Sequence, residues 1–166
     1  MLIDFHTHVY PEKIAEKGVQ YIGDFYNLPM REKGTLVHLK SVAKASGTTH
    51  VVLLGVAVKP EVVESINRFT ASMLDEFTFG FGTIHPDFPN KKEEICHCLE
   101  MGLKGIKIHP DMQKFNIDDP RMMEVYELLS KKGAPIMIHM GDDRHDHSHP
   151  ARLRRVLQMF PRLQVC

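Results

Sequence analysis

Histidine is the residue type that carries chemistry in this chain. Of 166 residues, 11 are histidine. Five of them stand where apolar runs end: His6 and His8 in Ile3-Asp4-Phe5-His6-Thr7-His8, His85 in Thr83-Ile84-His85-Pro86, His109 in Lys107-Ile108-His109-Pro110, and His139 in Ile136-Met137-Ile138-His139-Met140-Gly141. Residues i and i+2 of a strand point to one face, so His6 and His8 are expected side by side, about 7 Å apart along an extended chain. Two neutral imidazoles at that spacing can converge on one divalent ion. Asp4 is expected to share their face, where a carboxylate needs a cation or a donor. Two solvated histidines at a strand end would give the same local pattern; recurrence at four run ends argues against that. His6, His8 and His139 are therefore the metal-ligand candidates, with zinc the expected ion because imidazole nitrogen suits borderline metals. His109 and His85 each precede a proline that turns the chain away. They read as substrate-facing or supporting residues, with a core histidine an equal reading for His85; His109 is the candidate catalytic residue. Lys107 shares a face with His109. It is a ligand if carboxylated, a charge partner, or a lysine whose ammonium reaches water or a carboxylate.

The elements that must position these residues are repeated. Strand-like runs cover about residues 2–6, 50–57, 77–84, 103–109 and 134–139, and a sixth begins at Leu163. From the second onward their starts fall roughly 30 residues apart, the length of a β-α unit. Helical patterns lie between them. Thr35 to Ser46 stops at Gly47, Pro60 opens a helix, and Asn90 to Met101 stops at Gly102. Arg121 to Lys132 is capped by Asp119 and stopped by Gly133, and Ala151 to Phe160 follows Pro150. The longer first interval leaves an inserted loop around Tyr21 to Lys33 that could cover a site. Alternating strands and helices imply an α/β fold with a parallel sheet and right-handed crossovers. A (β/α)8 barrel and an open doubly wound sheet compete. No Gly-x-Gly-x-x-Gly follows the first strand, so a dinucleotide fold loses support. Gly80-Phe81-Gly82 lies inside a strand and reads as tight packing. In a barrel the C-terminal strand ends converge on one face, where active sites sit.

The bulk numbers narrow the classes. Hydrophobic residues at 43% and charged residues at 25% are those of an ordinary soluble globular domain, and residues 1–166 suffice for one. Twenty-one basic and 21 acidic residues leave no net charge, so no nucleic-acid footprint is expected. No apolar run approaches a membrane span and the start lacks a signal-peptide pattern. Cys96, Cys98 and Cys166 are an odd set, with the first two too close for an easy disulfide, which fits a reducing cytoplasm. Cys96-His97-Cys98 lies in a helical stretch, where i and i+2 diverge by about 200°, and reads as structural. The polar loop from Asp142 to His149 is either solvated or substrate-binding. Its Arg144 can clamp an anionic substrate group in its planar fork, the catalytic role assigned to it, or only neutralise Asp142, Asp143 and Asp146.

The ordered set resembles the amidohydrolase superfamily of metal-dependent TIM barrels, and more closely its branch of hydrolases and decarboxylases. The matching stretches are Ile3–His8, Gly102–Pro110, Ile138–Asp142, Ser148–Leu153 and Phe160–Val165, the last similar to the approach to a sixth strand. The resemblance spans essentially the whole chain. It implies a divalent metal that lowers the pKa of its water and polarises a carbonyl. A metal-dependent hydrolase acting on an amide, ester or lactone is the expected activity. The alternatives are a decarboxylase of the same superfamily, in which the metal orients a substrate carboxylate, and a non-catalytic fragment. A small-molecule substrate carrying a carboxylate is the expected partner. Phosphoesterases and nucleases that also begin with a His-x-His strand are disfavoured by the zero net charge and the Lys107–Pro110 ending. The resemblance further implies a histidine ending strand six and an aspartate ending strand eight, and neither falls within these residues. A complete barrel needs about 250 residues. The expected fold is thus an incomplete (β/α)8 barrel, the N-terminal two-thirds of such a protein, with five to six parallel strands and outer helices. Its open edge favours a homo-oligomer.

Overall fold

The computed structural model describes residues Met1–Cys166. The chain runs β1 (Ile3–Thr7), α1 (Ala15–Tyr26), α2 (Leu36–Ala45), β2 (His50–Leu54), α3 (Val63–Ser72), β3 (Thr78–Thr83), α4 (Lys91–Glu100), β4 (Ile106–Ile108), α5 (Pro110–Gln113), α6 (Met123–Lys132), β5 (Ile136–Ile138) and α7 (Pro150–Met159). The five strands are all parallel and lie in sequence order. A sixth has begun: Val165 bridges Ile136 in parallel, and the Ile138 N–H donates to the Cys166 carbonyl at 3.0 Å. The result is part of a barrel.

Local chemistry sets the helix ends. The Thr35 and Asp119 side chains accept the His38 and Arg121 backbone N–H groups, as N-caps do. Gly47, Gly102 and Gly133 follow their helices with φ of 75°, 94° and 64°, a region that side chains with a Cβ avoid.

Three apolar clusters divide the two faces. Twenty buried residues, among them Ile106, Ile108, Ile136 and Ile138, pack between sheet and helices. Ala43, Val51 and Leu53 extend that layer beside α2. On the other face, the lumen of the barrel, Val52, Leu54, Phe81 and Met137 form a small cluster. Lys107 pairs in register with Thr83 on one side and Met137 on the other, which places it on the lumen face. Gly80 and Gly82 let the outer helices approach: a Cβ at Gly82 would lie 2.6 Å from the Cys98 sulfur. Cys98 is therefore a packing residue on α4, and the cysteine-histidine-cysteine run is structural.

Three expectations change. β4 and β5 are three residues each, shorter than their apolar runs. Pro135 has no N–H to donate, and the His109 N–H turns to the Gln113 side chain at 2.7 Å. The segment read as a loop from Tyr21 is helical to Tyr26, where Asn27 ends it at φ 52°. Asp4 does not share the face of the two histidines. Asp4 pairs with Val51 but Thr7 pairs with Leu53, so β1 carries an extra residue opposite Val52, a bulge that resets the alternation. The Asp4 carboxylate instead accepts the His6 N–H at 3.2 Å. No helix is long and apolar enough to cross a membrane.

Candidate metal centre

The bulge and the parallel sheet bring the histidines to one place. His6, His8, His109 and His139 all line a single chamber of about 700 Å3 at the C-terminal ends of the strands. The His6 and His8 Nε2 atoms are 3.2 Å apart. An ion holding nitrogens tetrahedrally at 2.0–2.1 Å sets them roughly 3.3 Å apart, so the pair fits a shared ion. The His8 Nδ1 faces the Leu54 carbonyl at 2.8 Å. A carbonyl only accepts, so Nδ1 carries the proton and Nε2 keeps its lone pair, the arrangement a metal ligand needs.

His109 has the opposite tautomer. Its Nδ1 accepts the Met112 N–H at 3.3 Å, so its proton sits on Nε2, 2.8 Å from the Tyr26 oxygen. The Tyr26 hydroxyl, accepting there, has its own proton free for His139 Nε2 at 3.3 Å. A relay of hydrogen bonds thus runs from His109 through Tyr26 to His139. The His109 and His139 rings stack with centroids 3.8 Å apart. His109, Asp111 and His139 also place one potential ligand atom each within 4.8 Å of one another. Both nitrogens of His109 are occupied in this tautomer, which makes it a donor beside the ion rather than a ligand to it.

Burial governs the charge states. It lowers the His8 pKa to about 4, helped by neighbouring His6, and the His109 pKa to about 3, helped by His139 and Lys107. His6 and His139 are lowered too, first by burial and then by Lys107. All four rings are neutral at neutral pH. Lys107 is fully buried, its ammonium has no partner, and burial lowers its pKa to about 8. Both oxygens of buried Asp111 are also unpartnered. Buried polar atoms are nearly always bonded, so an unpaired ammonium and carboxylate beside four neutral imidazoles fit a site that takes charged ligands.

Other candidates go elsewhere. Arg144 does not line the chamber. Its Nε donates to Asp142 at 2.8 Å, Nη1 reaches the Phe25 carbonyl, and the guanidinium lies 4.6 Å from the centre of the Phe25 ring. Arg144 thus pairs with Asp142 and also fastens the end of α1. His85 is buried, and its ring accepts the Asp87 N–H at 3.2 Å. The loop around His147 docks on the preceding one: His147 Nδ1 lies 2.8 Å from Asn116 Oδ1, and Arg152 pairs with Asp118 at 2.7 Å. Two residues of the site escaped sequence reasoning. Tyr26 lies far off in the chain, and Asp111 hides behind the Pro110 turn.

Parallel strands in sequence order, outer helices and a chamber at the strand ends define a partial TIM barrel. The chain belongs to the amidohydrolase family, whose match runs over residues 3–166. It is 29% identical over 110 residues to a 2-amino-3-carboxymuconate-6-semialdehyde decarboxylase of Dictyostelium discoideum, covering 58% of this chain and 31% of that protein. It superposes on the 5-carboxyvanillate decarboxylase of Sphingomonas paucimobilis with a TM-score of 0.72 at 16% identity, over 99% of this chain and 66% of that one. The 5-carboxyvanillate decarboxylase of Novosphingobium aromaticivorans, complexed with manganese and 4-hydroxy-3-methoxy-5-nitrobenzoic acid, gives a TM-score of 0.73 at 17% identity, over 99% and 64%. The chain thus spans about two thirds of the solved structures it resembles.

Proposed function

We propose that the chain carries the ion-binding end of a metal-dependent decarboxylase acting on a small carboxylate. The observation that carries this is the pair of neutral imidazoles with facing Nε2 atoms beside the buried, unpaired Lys107 ammonium. The hydrolase expected from the sequence gives way to its alternative, because these relatives are decarboxylases. In this reading residues 1–166 are one partial domain. His6, His8 and His139 would hold a divalent ion, zinc or manganese. When bound, the ion supplies Lewis-acid polarisation of substrate oxygens.

The residues of the chain do the rest. Lys107 attracts the substrate carboxylate into a lumen where its charge has no competing partner. The walls exclude water and strengthen that attraction. Loss of CO2 leaves an electron pair on carbon, which must take a proton. The protons near the polar end of the chamber are those of the Lys107 ammonium, His109 Nε2 and the Tyr26 hydroxyl, and these are the ones available. Arg144 positions the helix that carries Tyr26.

The test is to load the full-length protein with zinc or manganese and offer aromatic carboxylates, esters and lactones. CO2 released in equal amount to the decarboxylated product, and lost in His6→Ala, is the expected result. Ester or lactone hydrolysis without CO2 would return the hydrolase.

A further inference from the structure

The chamber is much larger than its polar end needs. A cavity of about 150 Å3 holds a benzene ring. This one is about 700 Å3, so a single-ring acid would fill a minor part of it. Beyond the histidines its walls are mostly apolar, with Lys17, Ser65 and Thr70 the polar exceptions besides its tyrosines. Val62, Ile66 and Phe69 come from the turn before α3 and from α3 itself, and Val56 from the segment after β2; Ile14, just before α1, and Ile22, within it, line the other side.

α1 is built as a roof. Ile14, Gly18, Tyr21, Ile22 and Tyr26 fall on one helical face, at i, i+4, i+7, i+8 and i+12, and all line the chamber. Ile14, Tyr21 and Ile22 belong to none of the three core clusters. This apolar stripe therefore packs against no core of the chain. The helix is nonetheless held at both ends. A Cβ at Gly18 would lie 2.7 Å from the Tyr10 ring, and the Tyr10 N–H donates to the Gly34 carbonyl at 2.8 Å, while Arg144 fastens Phe25 at the other end. A fixed roof with its apolar face over a large, half-enclosed space is suited to an apolar ligand and not to a core.

We propose that this arm of the chamber binds the apolar body of the substrate. The substrate is then a carboxylate whose remainder is apolar and considerably larger than one ring, such as an alkyl-substituted or polycyclic aromatic acid. Its carboxylate lies at the histidine end, and its body lies between α1 and α3. Ile66 and Phe69 set the length it can reach. This rests on the reading of the histidine end as the carboxylate's.

The test is equilibrium binding, by calorimetry, of benzoate and its 4-butyl, 4-hexyl and 4-octyl derivatives to the full-length, manganese-loaded protein. Affinity is expected to rise about fourfold for each buried methylene, until the arm is full. Ile66→Phe should bring that limit to a shorter chain and Phe69→Ala should move it to a longer one. Misfolding cannot produce opposite shifts. Affinity independent of chain length, or a limit unmoved by both variants, overturns the proposal. CO2 release from any carboxylate is measured separately, so a flat binding series with CO2 release would leave the decarboxylase reading standing while removing the apolar arm.

Discussion

Lys107→Met should stabilise the metal-free protein, although it removes a residue from the heart of the site. The Lys107 ammonium is buried without a partner, and burial lowers its pKa from 10.5 to about 8. The difference, 10.5 − 8, at 1.36 kcal/mol per unit, means that carrying this charge costs the folded state about 3 kcal/mol at neutral pH. The sign follows from proton counts. Between pH 8 and 10.5 the unfolded chain holds the proton and the folded chain has released it, so stability rises with pH across that window. Below it, both states are protonated and the full cost applies. Methionine has similar reach and no charge. The variant should therefore melt higher at pH 7, by roughly 6–12 °C for a chain of this size, and its advantage should shrink toward pH 10.5. Chemical denaturation of both proteins in a chelator, at pH 7, 9 and 10.5, measures this. A destabilised variant at pH 7, or an advantage that does not change with pH, would show that the ammonium finds a partner in the folded chain and that the electrostatic account of the lumen is wrong.

Replacing His6 or His139 by alanine should abolish stoichiometric metal by elemental analysis. It should also remove the stabilisation by ligand, about 2.7 kcal/mol at 100 times Kd, that added zinc or manganese gives the native chain. Tyr26→Phe deletes the hydroxyl that competes for His139 Nε2; metal affinity by competitive chelator titration should rise roughly 2- to 12-fold, the worth of one hydrogen bond, and a fall would place Tyr26 among the ligands. The metal-free protein should lose stability as pH drops from 6.5 toward 4. The unfolded chain binds protons there that buried His8 and His109 refuse, and a urea midpoint constant across that range would contradict their burial as neutral rings. Arg144→Ala should speed amide exchange along α1 while leaving metal stoichiometry intact; unchanged exchange would show that α1 is held by Tyr10 alone.

Much of the site was readable because a parallel barrel converts position along a strand into position in space. Histidines at the ends of apolar runs had to meet once the runs were parallel and in order, and the start of a sixth strand at Leu163 followed from the same spacing. What failed depended on contacts that strand spacing does not encode. Asp4 obeys the alternation rule only until the bulge, which nothing in Phe5-His6 announces. The helical stripe of α1 is interrupted by Gly18 and Gly23, residues that disfavour a helix interior by about 1 kcal/mol each. Each is explained by a neighbour: the Tyr10 ring at Gly18, and the returning chain at Gly23, where a Cβ would lie 2.9 Å from the Leu28 carbonyl. Tyr26 meets His109 and His139 across separations of 83 and 113 residues, which local pattern cannot anticipate. Arg144 had two readings in the sequence, and its contact with the Phe25 carbonyl was invisible there.

The side chain of Gln113 links three neighbouring parts of the barrel rim. Its carbonyl oxygen accepts the His109 N–H at 2.7 Å, and its amide nitrogen donates to the Ala57 and Ile84 carbonyls, both at 2.8 Å. One amide therefore sets the separation of the segments that leave β2, β3 and β4, independently of the loops that follow. Those loops are free to drift in sequence and length, since lengthening a loop costs little entropy. A lineage could rebuild those loops without disturbing the His109 imidazole held beside Gln113. The same economy makes Gln113 a single point of failure: Gln113→Ala would leave three buried backbone groups unpaired at once, and the rim would lose its gauge before the barrel lost its core.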